Sequence, residues 1–251
     1  MRKFGLIGYP LGHSFSRKYF SEKFSGENLT DCYYDNYPLS DIEKLPELIE
    51  SEPFLCGLNV TIPYKTTVMG YLDYIDEEAR QIGAVNVIKI KRSGSFFSLS
   101  GYNTDVEGIR ETLKPYIESR KIRNALILGT GGGSKAVYHY LINEGVNVNF
   151  VSRTKKPGVL TYTELNEEVY RNTELIVNST PLGMYPAIAG KPDLNYIMLN
   201  QKHILFDLVY NPELTTFLNL GISRGCTIIT GLKMLYVQAE KSWEIWNDKK
   251  Y

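Results

Sequence analysis

Asn124-Ala-Leu-Ile-Leu-Gly-Thr-Gly-Gly-Gly-Ser-Lys-Ala-Val137 runs from a short apolar segment through a glycine cluster into a helical pattern. Residues 125–128 are all apolar, as in a strand buried on both faces, and Gly129, Gly131 and Gly132 then permit a turn that bulkier residues would block. Ala136, Val137, Tyr140 and Leu141 recur at helical spacing, so a helix opens at the glycine turn. Its first N–H groups and its dipole favour a phosphate there. A second apolar strand over 146–151 follows at the spacing of a βαβ unit, which predicts the entry to a dinucleotide-binding fold. The commoner fingerprint carries glycine where this chain has Ser134. The glycines alone are therefore also compatible with a simple flexible turn, and the order of strand, glycines, helix and strand is what separates the two readings.

The chain has 251 residues, 43% hydrophobic and 22% charged, enough for two modest domains with cores of their own. Lys plus Arg and Asp plus Glu both number 28, a balance that leaves no electrostatic footprint for nucleic acid or an anionic membrane. Cys32, Cys56 and Cys226 are far apart, as are His13, His139 and His203, so neither disulfides nor a metal site is expected. Only a short apolar run precedes Tyr9-Pro10, and no segment approaches bilayer length; a reducing, cytoplasmic setting is the expectation.

In chain order, strands are expected over 4–8, 33–37 and 58–62, with helices from about Arg17 and from about Pro46. Ser14 and Ser16, just before the first helix, are either N-caps or ligand-facing hydroxyls. Lys65 follows the third strand, where open α/β sheets hold ligands, although most lysines are simply solvated. A helix over 77–82 leads to a hairpin of 87–91 with 96–99. Thr104 and Glu107 match a capping box, which puts Asp105 in a first helical turn, a place that suits a carboxylate on dipole grounds alone.

Beyond the glycines, the second strand ends in Ser152-Arg-Thr-Lys-Lys156, where an acid would hold the ribose of NAD. No acid stands there. Arg153, with Lys155 and Lys156, suits the 2′-phosphate of NADP, or is merely a solvated basic end. Further strands are expected over 175–177, 204–210 and 227–229. A terminal helix carries Leu232, Leu235, Tyr236, Ala239, Trp243 and Trp246 on its apolar face, with Gln238 beside it. Repeats and low-complexity linkers are absent, so domain boundaries fall near 102–105 and Gly231.

Taken together, Gly8-Tyr-Pro-Leu-Gly-His-Ser-Phe-Ser16, Asn59-Val-Thr-Ile-Pro-Tyr-Lys65, Gly83-Ala-Val-Asn86, Gly101-Tyr-Asn-Thr-Asp105, the glycine stretch, Asn178-Ser-Thr-Pro-Leu-Gly-Met184, Asp207-Leu-Val-Tyr210 and Gly231-Leu-Lys-Met-Leu-Tyr-Val-Gln238 resemble the shikimate dehydrogenase family over nearly the whole chain. The resemblance implies an α/β fold with an N-terminal α/β substrate domain, residues 1–103 and 232–251, the C-terminal helix returning to it. A Rossmann-type NADP-binding domain, residues 104–231, would face it across a cleft. The implied activity is the reversible reduction of 3-dehydroshikimate by NADPH to shikimate, a step in aromatic amino acid biosynthesis.

Carried over position by position, the resemblance puts the substrate's hydroxyls and carboxylate on Ser14, Ser16, Thr61, Asn86 and Gln238, with Tyr210 nearby. Lys65 and Asp105 match the catalytic pair, which also touches substrate. Gly129, Gly131, Gly132, Gly133 and Ala136 match the phosphate loop, and Ser152, Arg153 and Thr154 the adenosine-phosphate clamp, where asparagine is more usual than Ser152. Ser179, Thr180, Pro181, Met184, Leu208 and Gly231 match the remaining cofactor contacts. The residue types suit the chemistry: charge grows on a ketone oxygen and needs a donor, and each hydroxyl leaving water needs a partner. The implied ligands are NADP and a small acid, with no nucleic acid, membrane or metal, in a monomer or homodimer. The alternatives are an NAD-using quinate/shikimate dehydrogenase and a non-catalytic nucleotide sensor on the same fold.

Overall fold

The computed structural model describes residues 1–11, 15–94 and 96–248. They form two compact units, residues 1–104 with 239–251, and residues 105–238. The first contains β1 (Arg2–Gly8), α1 (Phe15–Gly26), β2 (Cys32–Pro38), α2 (Leu45–Ser51), β3 (Leu55–Val60), β4 (Tyr74–Ile75), α3 (Glu77–Ile82), β5 (Val87–Ser93) and β6 (Phe96–Tyr102). Its sheet runs β2-β1-β3-β5-β6-β4, with β1 parallel to β2 and β3, and β5 antiparallel to β3 and β6. The period of two along β1 divides the core: Phe4 and Leu6 face α1, and Ile7 faces the cluster that includes Leu45 and Ile49 of α2.

The second unit contains α4 (Asp105–Arg120), β7 (Asn124–Leu128), α5 (Gly132–Asn143), β8 (Asn147–Ser152), β9 (Val159–Thr161), α6 (Glu167–Asn172), β10 (Leu175–Asn178), β11 (Ile204–Asp207), α7 (Thr216–Ile222) and β12 (Thr227–Ile229). Its sheet runs β12-β11-β10-β7-β8-β9 and every pair is parallel. From β7 the chain winds outward through β8 and β9, then returns to wind the other way through β10, β11 and β12. That is the strand order of a Rossmann sheet. Ala136, Val137, Tyr140 and Leu141, the face read from their spacing, are all buried on α5.

The last helix, α8 (Leu232–Trp246), begins in the second unit and continues, after Gln238, in the first. The division falls inside the helix, beyond Gly231, because Met234 packs on Gly108 while Ala239, Trp243 and Trp246 join the core of Phe4, Phe20 and Phe24. Trp246 stacks on Phe4 at 4.8 Å between ring centroids and its indole N–H donates to Ile88 O at 3.0 Å, satisfying the one polar atom such a ring buries. Tyr236, expected on the apolar face, is 45% exposed.

Two further differences have local causes. The third strand stops at Val60 and not at residue 62, because Pro63 has no N–H for a ladder; Tyr64 N instead donates to Thr61 O in a turn. Lys65 therefore sits in the turn that follows the C-terminal end of β3. The first helix starts at Phe15, ahead of Arg17, which puts Ser16 inside its first turn.

The buried Lys89 ammonium, on β5, donates to Ile245 O at 2.7 Å and pairs with Asp248 at 2.5 Å, placing a cation at the C-terminal end of α8. Lysine is favoured there because it meets the negative end of the helix dipole and a carbonyl of the last turn, which Asp248 N also reaches at 3.3 Å. Lys89→Met keeps the buried stem but leaves Ile245 O without that donor. It should lower unfolding free energy by about 1–3 kcal/mol; a urea midpoint equal to that of the wild type would show that this end of α8 needs no cation.

Candidate active site

In an open parallel sheet the ligand crevice forms where the winding reverses, here between the ends of β7 and β10. Gly129 follows β7 with φ +110°, a conformation that side chains rarely adopt, and a Cβ there would lie 2.9 Å from Ser179 Oγ. Ser179 and Thr180 follow β10, and Ser179 Oγ donates to Leu128 O at 2.6 Å, tying the two strand ends together. Gly131 is the N-cap of α5, with no side-chain hydrogen bond and open space where its Cβ would point. Ser134 is fully buried and its hydroxyl donates to Gly131 O at 2.6 Å, so the serine in place of the third glycine turns inward and leaves the turn clear. The open space over helical N–H groups fits the phosphates of a dinucleotide.

At the end of β8, Arg153 and Thr154 are exposed, and Thr154 N donates to Ser152 Oγ at 3.2 Å. Lys155 pairs with Glu164 at 2.5 Å. That hydrogen bond, followed by the amide and hydroxyl of Thr161, holds the Glu164 carboxyl down to about 2. Lys156 donates to Thr130 Oγ1, at the glycine turn, at 3.0 Å. The basic run therefore divides, with Lys155 turned to Glu164 and the Arg153 guanidinium in no ion pair among the described residues. An exposed guanidinium with no acid beside it fits a 2′-phosphate.

Behind these loops lies a buried polar network whose roles the sequence did not disclose. Asp207, at the end of β11, accepts from Asn178 Nδ2 at 2.9 Å, Val209 N at 2.9 Å and Thr215 Oγ1 at 2.6 Å. Asn178 Oδ1 in turn accepts from the amide and hydroxyl of Thr180. The available signal is a polar residue closing each of two apolar strands. Leu208 N donates to Asn178 O, and the Leu208 side chain lies near Gly133, so the network fixes cofactor-side positions from behind. Pro181 and Met184 are exposed on the loop after Thr180. Gly231 lies against the carbonyls of Asp207 and Leu208. Tyr210 is half-buried, and burial pushes its phenol up.

In the first unit the expected substrate residues gather at one end of the sheet. Val60 N donates to Asn86 O at 2.8 Å and Val85 N to Lys65 O at 2.7 Å, which brings Thr61, Lys65 and Asn86 together around the end of β3 and the start of β5. Asn86 Oδ1 accepts from Thr104 N at 2.7 Å, a donor that cannot reverse, so the amide's orientation is set. Its Nδ2 donates to Thr104 Oγ1 at 3.1 Å. Thr61 and Lys65 are half-buried, as is Ser16 within α1. Ser14 lies outside the described residues. In the second unit, buried Asp105 is the first residue of α4, and Gln238 Nε2 donates to Leu235 O within α8.

Burial pushes the Asp207 carboxyl up to about 7, against the pull of its three donors. An acid whose pKa rises on folding binds its proton more tightly in the folded state, so its contribution to stability is complete below about pH 4 and is lost as pH rises through 7. Asp207→Asn removes this titration. Urea unfolding at mildly acidic and mildly alkaline pH should show the wild type losing stability relative to Asp207→Asn as pH rises, by at most about 1.4 kcal/mol per unit. Parallel pH dependence in the two proteins would contradict the raised value.

Residues 6–88 match the model of the shikimate dehydrogenase substrate binding domain. An NADP⁺ shikimate dehydrogenase of Clostridium beijerinckii is 38% identical over 262 residues, spanning 99% of this chain and 93% of that protein. Among solved structures, shikimate dehydrogenase 1 of Peptoclostridium difficile is 39% identical with a TM-score of 0.85, covering 100% of this chain and 93% of the other. A shikimate 5-dehydrogenase of Thermus thermophilus, in complex with NADP(H) and shikimate, is 29% identical with a TM-score of 0.84, covering 99% of this chain and 94% of the other. The glycine turn, the Arg153 edge and the Thr61, Lys65 and Asn86 cluster thus stand in a chain that belongs, over nearly its full length, to the shikimate dehydrogenase family.

Proposed function

We propose that this protein is an NADP-dependent shikimate dehydrogenase that reduces 3-dehydroshikimate to shikimate, reversibly. The observation that carries the reading is the likeness, over nearly all of both chains, to the protein crystallised with NADP(H) and shikimate. The cofactor would lie with its phosphates over Gly131 and the start of α5 and its 2′-phosphate at Arg153. It would supply the hydride that reduces the ring ketone. Every other task falls to the chain's own groups.

Lys65 is the donor for the ketone oxygen. As hydride reaches the carbon, negative charge gathers on that oxygen, and an ammonium hydrogen bond strengthens just then. The proton passes from Nζ to the oxygen, and the reverse reaction returns it. Asp105 is the carboxylate that orients the amine. Asn86, with its amide set by Thr104, joins Ser16, Thr61 and Gln238 in pairing hydroxyls and carboxylate that would otherwise lose their hydrogen bonds on leaving water. Ser14 takes the same role in this reading, and Tyr210 lies on the substrate's border. In this reading the first unit supplies Ser16, Thr61, Lys65 and Asn86 to the substrate, and the second holds the cofactor and supplies Asp105 and Gln238. Both substrates are small molecules, and no helix of the described residues is long and apolar enough to cross a membrane.

Lys65→Ala should lower turnover by roughly 10²- to 10⁴-fold while shikimate binding weakens much less. Near-normal turnover in that variant would remove Lys65 from the chemistry. Arg153→Ala tests the cofactor. A hydrogen bond to a charged group is worth about 1.5–3 kcal/mol, so kcat/KM for NADP should fall by about 10- to 150-fold, less if Lys156 takes over. NAD has no phosphate at that place and should be almost unaffected; equal losses with both cofactors would make Arg153 a residue of the fold.

A further inference from the structure

The backbone of Lys65 is held by a buried segment of three residues, and we infer that Asn103, which anchors that segment, is a positioning residue for Lys65. This rests on the reading of Lys65 as the donor to the ketone oxygen, and every residue involved lies in the first unit.

Residues 84–86 link the end of α3 to β5 with no regular structure of their own, and they are buried: Ala84 and Val85 completely, Asn86 to 2% exposed. Gly83, in the left-handed region at φ +69°, turns the chain out of α3 and into this link. A buried link has no water for its backbone, so its polar groups must find partners within the protein. Ala84 N donates to Ala79 O at 3.4 Å, Val85 N to Lys65 O at 2.7 Å and Asn86 N to Tyr102 O at 3.0 Å. The Ala84 carbonyl accepts from a side chain, Asn103 Nδ2, at 2.9 Å. A carbonyl only accepts, so the Asn103 amide can face it only with its nitrogen.

Ala84 O and Val85 N are the two ends of one peptide group, which is planar and trans. The bond from Asn103 and the bond to Lys65 therefore leave the same rigid plate in opposite directions. Turning the plate away from one partner bends its bond to the other. Asn103 is itself fixed, being 3% exposed and following directly on β6, whose last residue, Tyr102, pairs with Val87 of β5. The sheet thus sets Asn103, Asn103 sets the peptide plane, and the plane sets the Lys65 carbonyl at the root of the reacting side chain. Groups that act on a substrate need placement within about 0.5 Å, and this chain of contacts supplies it. Asn86 is set by the next residue, Thr104, through a separate bond. Proton donation and substrate holding can therefore be disturbed one at a time.

Asn103→Ala removes the donor and lets the plane turn. A misplacement of about 1 Å can cost roughly 10²-fold in rate, so kcat for shikimate oxidation should fall by roughly 10- to 100-fold. Calorimetry should show a much smaller change in shikimate affinity, because Asn86 keeps its bond from Thr104 N, and almost none in NADP affinity. Asn103→Asp keeps the volume of the side chain without its N–H and should behave in the same way. The decisive comparison is Asn103→Ala in a protein that already carries Lys65→Ala. If Asn103 acts through Lys65, the residual kcat should fall by no more than about 2-fold further, since residues that act as one unit are not additive.

Thermal melts set an assay temperature below the lowest transition of these proteins. An equal fall in kcat with and without the lysine side chain overturns the proposal, as does a wild-type kcat in a folded Asn103 variant. So does a loss of shikimate affinity as large as the fall in kcat. Failure of both Asn103 variants to fold would make Asn103 a residue of the fold alone, which also overturns it. Near-normal turnover in Lys65→Ala itself would strike instead at the reading of the site.

Discussion

A polar group buried at the end of a strand must find its partner inside the protein, and both units are arranged around that constraint. In the second, β10 and β11 end in Asn178 and Asp207, which bond to each other and thereby set Thr180 and Leu208 beside the glycine turn. In the first, Asn59 near the end of β3 and Asn86 just ahead of β5 are joined through Ser242 and Thr104. Apolar burial explains why the sheets form. The polar closures explain why the loops that leave them hold one shape, which a dinucleotide or a small polyhydroxylated acid requires of its site.

The legible parts of the sequence were those where a residue type has one physical use. Gly129 adopts a positive φ, Ala136, Val137, Tyr140 and Leu141 share one buried face, and Val87–Ser93 pairs antiparallel with Phe96–Tyr102 in the hairpin expected from 87–91 and 96–99. Asp105 opens α4 as the capping pattern implied, although Glu107 pairs with Arg110. Several short elements were not legible, β4 with two residues, β9 with three, α6 with six and α7 with seven, whereas the equally short α3 and β12 stood out from their surroundings. The course of α8 was hidden too. Its stripe continues across the point where the helix passes from one unit to the other, and only contacts at Met234 and Trp243 reveal the change.

The candidate site was legible in a similarly uneven way. Motif positions gave its residue list, and the structure added which side chains are already committed. Arg153 was expected at the phosphate with Lys155 beside it in the basic run, but the sequence did not disclose that Lys155 is bound to Glu164. Asn86 was expected to meet substrate, but nothing in the sequence told that Thr104 sets its amide. Ser134 shows the reverse case, a departure from the fingerprint that the structure makes harmless because its hydroxyl turns inward to Gly131 O.

The account depends on the cofactor and the acid reacting with each other on this chain. Near-ultraviolet absorbance of NADPH, followed after mixing the wild-type protein with NADP and shikimate, tests that most directly. NADPH should accumulate in proportion to shikimate consumed, with a larger kcat/KM than for NAD in place of NADP or quinate in place of shikimate. A folded protein that binds NADP yet forms no NADPH from shikimate would contradict the account.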